Sequence, residues 1–437
     1  MRPILPHGLA VRQYKYPSPH KSLNNVLNFS KHELKEVQKM VKFAHLADCH
    51  LGGWRQEELQ KLNFKSFQKV IERCLQEQVD FVLIAGDLFD SAYPPIEILK
   101  ESFAEFKKLK DAKIPVYLIA GSHDFSASGK TFLDVLEKAG FCKNVGKFEI
   151  QEDEEKIKLI PHMHDNIAIY GYPGRKSGME IEDLSKVYFS EIHPFTIFMV
   201  HTAIRAAIGT IPMESIEKQK LPLANYYAMG HVHKRFEDHI ANSRYVYPGP
   251  TFPNNFQELS DLQHGSFQLV ETDGANIQTK NIEIPLKEVA SIEIEINNGL
   301  TATQEIISHL DKLVLHNKIV LLKLKGNLVE GKTGDIRFNE IEDFIKKKDA
   351  YVFLRNISSI KIPDLDLGMM SSVKDIEEVQ KRKSDEFLKS NPHNFNKYLP
   401  QLMDALSIEK NEDEKTIIYE ERLLSELKTI LEITEIL

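Results

Sequence analysis

The twelve residues VDFVLIAGDLFD, Val79–Asp90, set the frame for the rest of the chain. Within them an unbroken apolar run, Phe81–Ala85, stops abruptly at Gly86-Asp87. A short run that is apolar at every position reads as a strand buried on both faces, as in parallel α/β sheets. The same pattern recurs along the chain. Val41–Ala47 ends in Asp48-Cys49-His50, Val116–Ala120 in Gly121-Ser122-His123-Asp124, and Thr196–Val200 in His201. Tyr226–Met229 ends in Gly230-His231-Val232-His233. Amphipathic stretches at helical spacing lie between several of these runs, for example Asn63–Gln78 and Ile96–Lys110. The alternation predicts an α/β class. Beyond His231 the shorter pieces Ser243–Tyr247 and Gly265–Glu271 predict an antiparallel second half of the core.

The chain of 437 residues, 42% hydrophobic and 27% charged, has an ordinary globular composition and room for two to four domains. It contains no apolar run long enough to span a membrane, and no apolar segment with a small-residue cleavage site at its start. Three cysteines without CxxC spacing predict a reducing, cytoplasmic setting. A net charge of −8 argues against a protein coated by nucleic acid through bulk electrostatics. It leaves open an enzyme that holds phosphates locally.

Residues 1–39 differ in character from the remainder of the chain: they carry seven Lys/Arg against two acids, with four prolines. They read as a flexible basic extension, with Met40 as the expected start, or as a basic arm that touches DNA or a partner. Residues 40–285 form the expected main domain. Residues 286–365 alternate strand- and helix-like segments, a small α/β cap. Residues 366–437 are strongly charged and helical in pattern, including Ser372–Lys389 and Asp413–Glu432, whose Leu423, Leu427 and Ile430 form an apolar stripe suited to a partner.

The carboxyl ends of strands in an α/β sheet are where ligands bind. Five strand ends carrying Asp48, His50, Asp87, His123, His201, His231 and His233 therefore converge their side chains on one spot. Gathered carboxylates repel unless cations lie between them. Imidazole with carboxylate suits Mn, Fe or Zn better than Mg or Ca, and one carboxylate between two ligand groups suits a two-metal site. Each motif alone is weak; their order and placement carry the reading. His162-Met163-His164 repeats the His-x-His spacing but follows proline and lacks a preceding glycine, so it is assigned to a loop or an exposed strand start. His45 lies inside the first strand as a packed residue, and alternation turns Cys49 away from the ligands.

The series D-x-H, G-D, G-x-H-D, a lone H and G-H-x-H resembles the calcineurin-like metallophosphoesterase superfamily. The stretches KFAHLADCHLGG, VDFVLIAGDLFD, IPVYLIAGSHD, YYAMGHVHKR and YPGPTFPNNFQE are similar to archaeal SbcD-type double-strand-break repair nucleases. That resemblance implies a β-sandwich core flanked by helices, a DNA-capping α/β domain and C-terminal helices that bind an SbcC-type coiled-coil ATPase. It implies a homodimer, without a membrane association, that acts on DNA in the cytoplasm at the nucleoid. It implies two Mn²⁺ per chain, with Fe²⁺ or Zn²⁺ as other occupants. Asp48, His50, Asp87 and His233 would hold the first metal, and Asp87 would bridge to a second held also by His201 and His231. Ser122 stands where the family has asparagine, and a hydroxyl is a poorer ligand, so a weaker second metal is expected. His123 would be the catalytic histidine, with Asp124 fixing its tautomer, and Asp90 lies where relatives place a supporting His or Asp.

The implied reaction is phosphodiester hydrolysis by a metal-activated water, with His123 at the leaving oxygen and both 3′–5′ exonuclease and single-strand endonuclease outcomes. Lys130, Arg175, Lys176, Lys234 and Arg235 are candidate phosphate contacts. Two other readings are a DNA-end-tethering scaffold whose hydrolysis is impaired by Ser122, and a phosphoesterase for small substrates.

Overall fold

The computed structural model describes residues 40–126, 129, 131–151, 155–175, 180–361, 398–406 and 416–431. The extension 1–39, the expected helix Ser372–Lys389, and the candidate contacts Lys130 and Lys176 lie outside the described residues. Contacts divide the chain into two compact units, one of Met1–Gly326 with Glu330–Ile360, the other of Asn327–Val329 with Lys361–Leu437.

Two six-stranded sheets form the body of the first unit. In one, the order is Ile277–Ile284, Gly265–Thr272, Val41–Leu46, Phe81–Ala85, Val116–Ile119 and Lys143–Asn144. Val41–Leu46, Phe81–Ala85 and Val116–Ile119 run parallel, and Gly265–Thr272 pairs antiparallel with the first of them. In the other, the order is Arg235–Ile240, Ser243–Pro248, Tyr226–Gly230, Phe195–His201, Ile167–Tyr172 and His162–His164. Here Ile167–Tyr172, Phe195–His201, Tyr226–Gly230 and Ser243–Pro248 are parallel, and the two outer strands are antiparallel to their neighbours. The antiparallel half expected after His231 is thus partly corrected, because Ser243–Pro248 pairs parallel with Tyr226–Gly230 before turning back against Arg235–Ile240.

The period-two geometry of strands explains why Phe81–Ala85 is apolar throughout. Phe81, Leu83 and Ala85 face the space between the sheets, packing with Phe43, Ile119, Ile197, Met199 and Tyr226. Val82 and Ile84 face the opposite way, onto Phe67, Ile71 and Cys74 of the helix Glu57–Glu77 and Phe106 of the helix Ile96–Asp111. The second sheet likewise covers its outer face with Leu184, Ile204 and Ala207. The result is a sandwich flanked by helices, as expected. All three cysteines are buried thiols, and Cys49 packs into the helix-side core, turned away from the strand-end loops.

The cap consists of a three-stranded sheet, Val289–Glu295, Ile319–Asn327 and Val352–Lys361, with helices Ala302–Asp311 and Phe338–Lys347. It packs on the body through one apolar seam in which Trp54, Leu59, Phe252 and Leu259 meet Ile319 and Leu321. The indole of Trp54 donates to the Pro253 carbonyl at 2.9 Å. In the second unit, the described residues include helices Leu399–Leu406 and Thr416–Ile430, the latter within the segment expected to be helical. No described helix is long and apolar enough to cross a membrane.

The seam between the sheets should dominate stability. Phe81 is fully buried and stacks on Phe43 with ring centroids 4.9 Å apart. Phe81→Ala should lower the unfolding free energy by about 3–5 kcal/mol, measured by denaturant titration, and a loss below about 1 kcal/mol would refute this account of the seam.

Candidate metal centre

The parallel strands of both sheets end on the same side, and there the five motifs meet. His201, the last residue of its strand, donates from Nδ1 to the carbonyl of Ala85, the last residue of a strand in the other sheet, at 2.9 Å. Its ring fits because glycines surround it. A methyl on Gly86 would come within 2.2 Å of His201 Nδ1, and one on Gly230 within 2.1 Å of the Ala85 carbonyl oxygen. The loops beyond Val41–Leu46 and Phe81–Ala85 run side by side, tied by Asp48 N–H to Gly86 O at 3.1 Å and His50 N–H to Asp87 O at 3.0 Å. Asp48, His50, Asp87 and His231 all have left-handed backbone, with φ of 52°, 42°, 50° and 89°. Non-glycine residues adopt that conformation at a cost, and they do so where the surroundings over-determine it.

These distortions bring the side chains together. Ligand atoms of Asp48, His50 and His233 lie within 4.8 Å of one another, and so do those of Asp48, Asp87 and His201. His50 and His233 point Nε2 at each other, 3.0 Å apart. Two nitrogens each about 2.1 Å from one cation at a right angle would be separated by that distance. Asp87 Oδ2 stands 3.6 Å from His50 Nε2 and 3.2 Å from His201 Nε2, between the two groups. Ser122 donates to the same Oδ2 at 3.3 Å. His231 packs edge-on against His201, centroids 5.1 Å apart, while its amide donates to Asp48 Oδ1 at 2.9 Å. A third group is His50, Asp90 and His123, and of the expected His and Asp ligands His231 alone is in none of the three.

Asp48 and Asp87 are 0% and 2% exposed. Asp48 Oδ2 and His201 Nε2 are buried without a hydrogen-bond partner, which is rare for such groups. The residues therefore fit divalent cations, since an orphaned carboxylate oxygen and an imidazole nitrogen that faces only the Asp87 carboxylate are ligand atoms. Protons stand in for some of the positive charge. Burial opposes a charge on His201, yet Asp87 beside it outweighs burial and lifts its pKa to about 10. Burial likewise opposes a charge on His233, but Asp48 and the hydrogen bond accepted by Glu258 raise it to about 9. Burial would raise Asp87, but His201 and His50 hold it well below the usual carboxylate range. His231 is pushed down to about 4 by burial and by the neighbouring His201. Cations would replace these protons, so metal uptake here releases H⁺.

Behind the ligand atoms lies a shell of carboxylates. Asp90 Oδ1 accepts from His50 Nδ1 at 3.0 Å, and Glu258 Oε1 from His233 Nδ1 at 2.9 Å. The sequence pattern leaves Asp90 without a fixed role and does not single out Glu258. A signal existed: Asn255 is the N-cap of helix Phe256–Leu262, its Oδ1 accepting the Glu258 amide at 2.9 Å.

The structure gives three of the expected residues other partners. The Asp124 side chain is turned to backbone amides. Its carboxylate is buried and accepts from the amides of Gly121, Phe89 and Leu88 at 2.9, 3.1 and 3.3 Å, tying two loops, and burial followed by the charge of Asp87 raises its pKa to about 6. His123 Nδ1 instead bonds the Asp90 carbonyl at 2.9 Å. Arg235 is committed internally, to Ser266, Glu283 and the carbonyls of Leu262 and His264, and Arg175 pairs with Asp183 at 3.2 Å. Lys234 remains exposed beside His233. Of the remaining histidines, His162 and His164 lie on an outer strand, with His164 bonded to the Tyr117 hydroxyl, and His45 is buried against Tyr226.

A family model for calcineurin-like phosphoesterases matches residues 41–235. Those residues are a calcineurin-like metallophosphoesterase domain. The chain is also similar to curated relatives over most of its length. It is 25% identical to the DNA double-strand break repair protein Mre11 of Archaeoglobus fulgidus, covering 88% of this chain and 85% of that one. It is 25% identical to the protein of the same name from Sulfolobus acidocaldarius, covering 78% and 89%. It is 26% identical to the uncharacterized metallophosphoesterase YhaO of Bacillus subtilis, covering 61% and 66%. The chain is a metal-dependent phosphoesterase, a hydrolase.

The glycine cage gives a direct test of the site. Gly86 has φ +89°, and a Cβ there would strike His201. Gly86→Ala should lower the number of divalent cations held per chain, measured by elemental analysis. Retention equal to that of the parent protein would exclude His201 as a ligand.

Proposed function

We propose that this chain is a Mn²⁺-dependent DNA nuclease of double-strand-break repair. It hydrolyses phosphodiesters as a 3′–5′ exonuclease on duplex and an endonuclease on single strands. In this reading it is a homodimer in the cytoplasm, at the nucleoid, and its C-terminal helices bind an SbcC-type coiled-coil ATPase. The observation that carries the proposal is the convergence of five strand ends, with Asp87 between His50 and His201, in a chain alike over most of its length to Mre11 proteins.

The roles follow from the geometry. Asp48, His50, Asp87 and His233 would hold one Mn²⁺, and Asp87, Ser122, His201 and His231 the second. When bound, such a pair polarises the phosphate and activates water for in-line attack. Because His123 Nδ1 is occupied by the Asp90 carbonyl, Nε2 is the ring atom left for proton transfer, and the side chain is 46% exposed, open to a substrate. A protonated Nε2 gives its proton to the leaving oxygen. Asp124 acts by holding the loops of Leu88, Phe89 and Gly121 in register. Exposed Lys234, beside His233, offers a phosphate contact.

The test is cleavage of labelled duplex and hairpin DNA with Mn²⁺. His123→Ala should reduce cleavage by about 10²–10⁴ while leaving bound metal unchanged by elemental analysis. Asp87→Ala should lose both cleavage and metal, and His231→Ala should lose cleavage and one of the two cations. Full cleavage by His123→Ala would remove its catalytic role. Hydrolysis of small phosphodiesters alone would replace the DNA reading with a small-substrate enzyme, and DNA binding without hydrolysis would favour an end-tethering scaffold.

A further inference from the structure

The two halves of the centre differ in what stands behind their imidazoles. His50 is backed by Asp90 and His233 by Glu258, each through a hydrogen bond of about 3 Å to Nδ1. His201 is backed by the neutral carbonyl of Ala85. Among the described residues no hydrogen bond joins the His231 imidazole to a carboxylate, and its ring packs on that of His201. A carboxylate behind an imidazole orients the ring and makes its other nitrogen a better donor to a cation.

The two supporting carboxylates are joined to each other. The Asn254 amide donates to Glu258 Oε2 at 2.8 Å, and its side-chain Nδ2 approaches Asp90 Oδ1 at 3.4 Å. Asn254 Oδ1 is buried and unpartnered, and a methyl on Gly53 would come within 2.6 Å of it. Glu258 is further gripped by the Asn255 side chain, whose Nδ2 donates to Oε1 at 2.5 Å and whose Oδ1 accepts the Glu258 amide at 2.9 Å. The next residues of that helix fix it from behind, because Leu259 packs in the seam with Ile319 and Leu321, and Ser260 bonds Ser291 at 3.0 Å. No group in this bracket is itself among the ligands named above.

We infer that Asp90, Asn254 and Glu258 form a bracket that makes the His50/His233 half the tight cation site and leaves the His201/His231 half the exchangeable one, with Glu258 as its principal positioning residue. The inference rests on the two-cation reading above. It adds an origin for unequal affinity that is independent of Ser122.

The test is calorimetric titration of the chelator-stripped full chain with Mn²⁺, with bound metal counted by elemental analysis after dialysis. The parent protein should show one tight and one weaker class. Glu258→Gln keeps a hydrogen-bond acceptor and removes the charge. It should weaken the tight class roughly 10–100-fold and leave the weak class in place. Asn254→Ala should weaken the tight class by a smaller factor. Ser122→Asn should strengthen the weak class alone. Thermal unfolding of each metal-free variant, expected to match the parent, separates positioning from loss of fold. Unchanged tight binding in Glu258→Gln, or equal weakening of both classes, would overturn the bracket. A parent protein that takes up no Mn²⁺, Fe²⁺ or Zn²⁺ would instead overturn the two-cation reading.

Discussion

Two carboxylates, Asp48 and Asp87, are buried where the ends of two sheets meet, and the rest of the site is shaped by accommodating them. Taking such groups out of water is costly unless positive charge or donated hydrogen bonds compensate. The chain supplies compensation from five residues. Amides of His231 and His123 donate to them, His201 and His50 stand alongside, and the ligand atoms of His233 close the first group. Even so, Asp48 Oδ2 remains without a partner, which is what a cation would resolve. The left-handed backbone at Asp48, His50, Asp87 and His231 is the local expense of aiming these groups inward.

That expense is borne by a rigid frame. The sandwich places the last residues of Phe81–Ala85 and Phe195–His201 in direct hydrogen-bonded contact across the sheets. Three ring-facing glycines, Gly86, Gly174 and Gly230, then set how closely the His201 imidazole can approach. A centre assembled on strand ends is held more precisely than one carried by long loops alone.

The frame and the gathered acidic and imidazole groups are legible in the sequence for a physical reason. A strand buried on both faces must be apolar throughout, so its end is marked by the first polar or glycine residue, and Asp48, Asp87, His201 and His233 lie at or just beyond those ends. What is illegible depends on tertiary placement. His123 and Asp124 are adjacent and look like a pair, but successive side chains in the loop diverge, one 46% exposed and the other 1%. Arg235 looks like a phosphate contact, yet the strand it begins turns its guanidinium onto Ser266 and Glu283. Glu258 lies 25 residues from His233, and only the packing of its helix against the body and cap brings the two together. Ser122 places its hydroxyl at hydrogen-bond distance from Asp87.

The seam between body and cap contains the sole tryptophan of the chain. Trp54 is 8% exposed, and its indole is anchored to the Pro253 carbonyl, one residue before Asn254. Emission excited selectively from this indole therefore has a single origin, a buried contact between the two layers. Its wavelength and lifetime make it a built-in optical gauge of whether that contact is intact, with no dye attached and no residue exchanged.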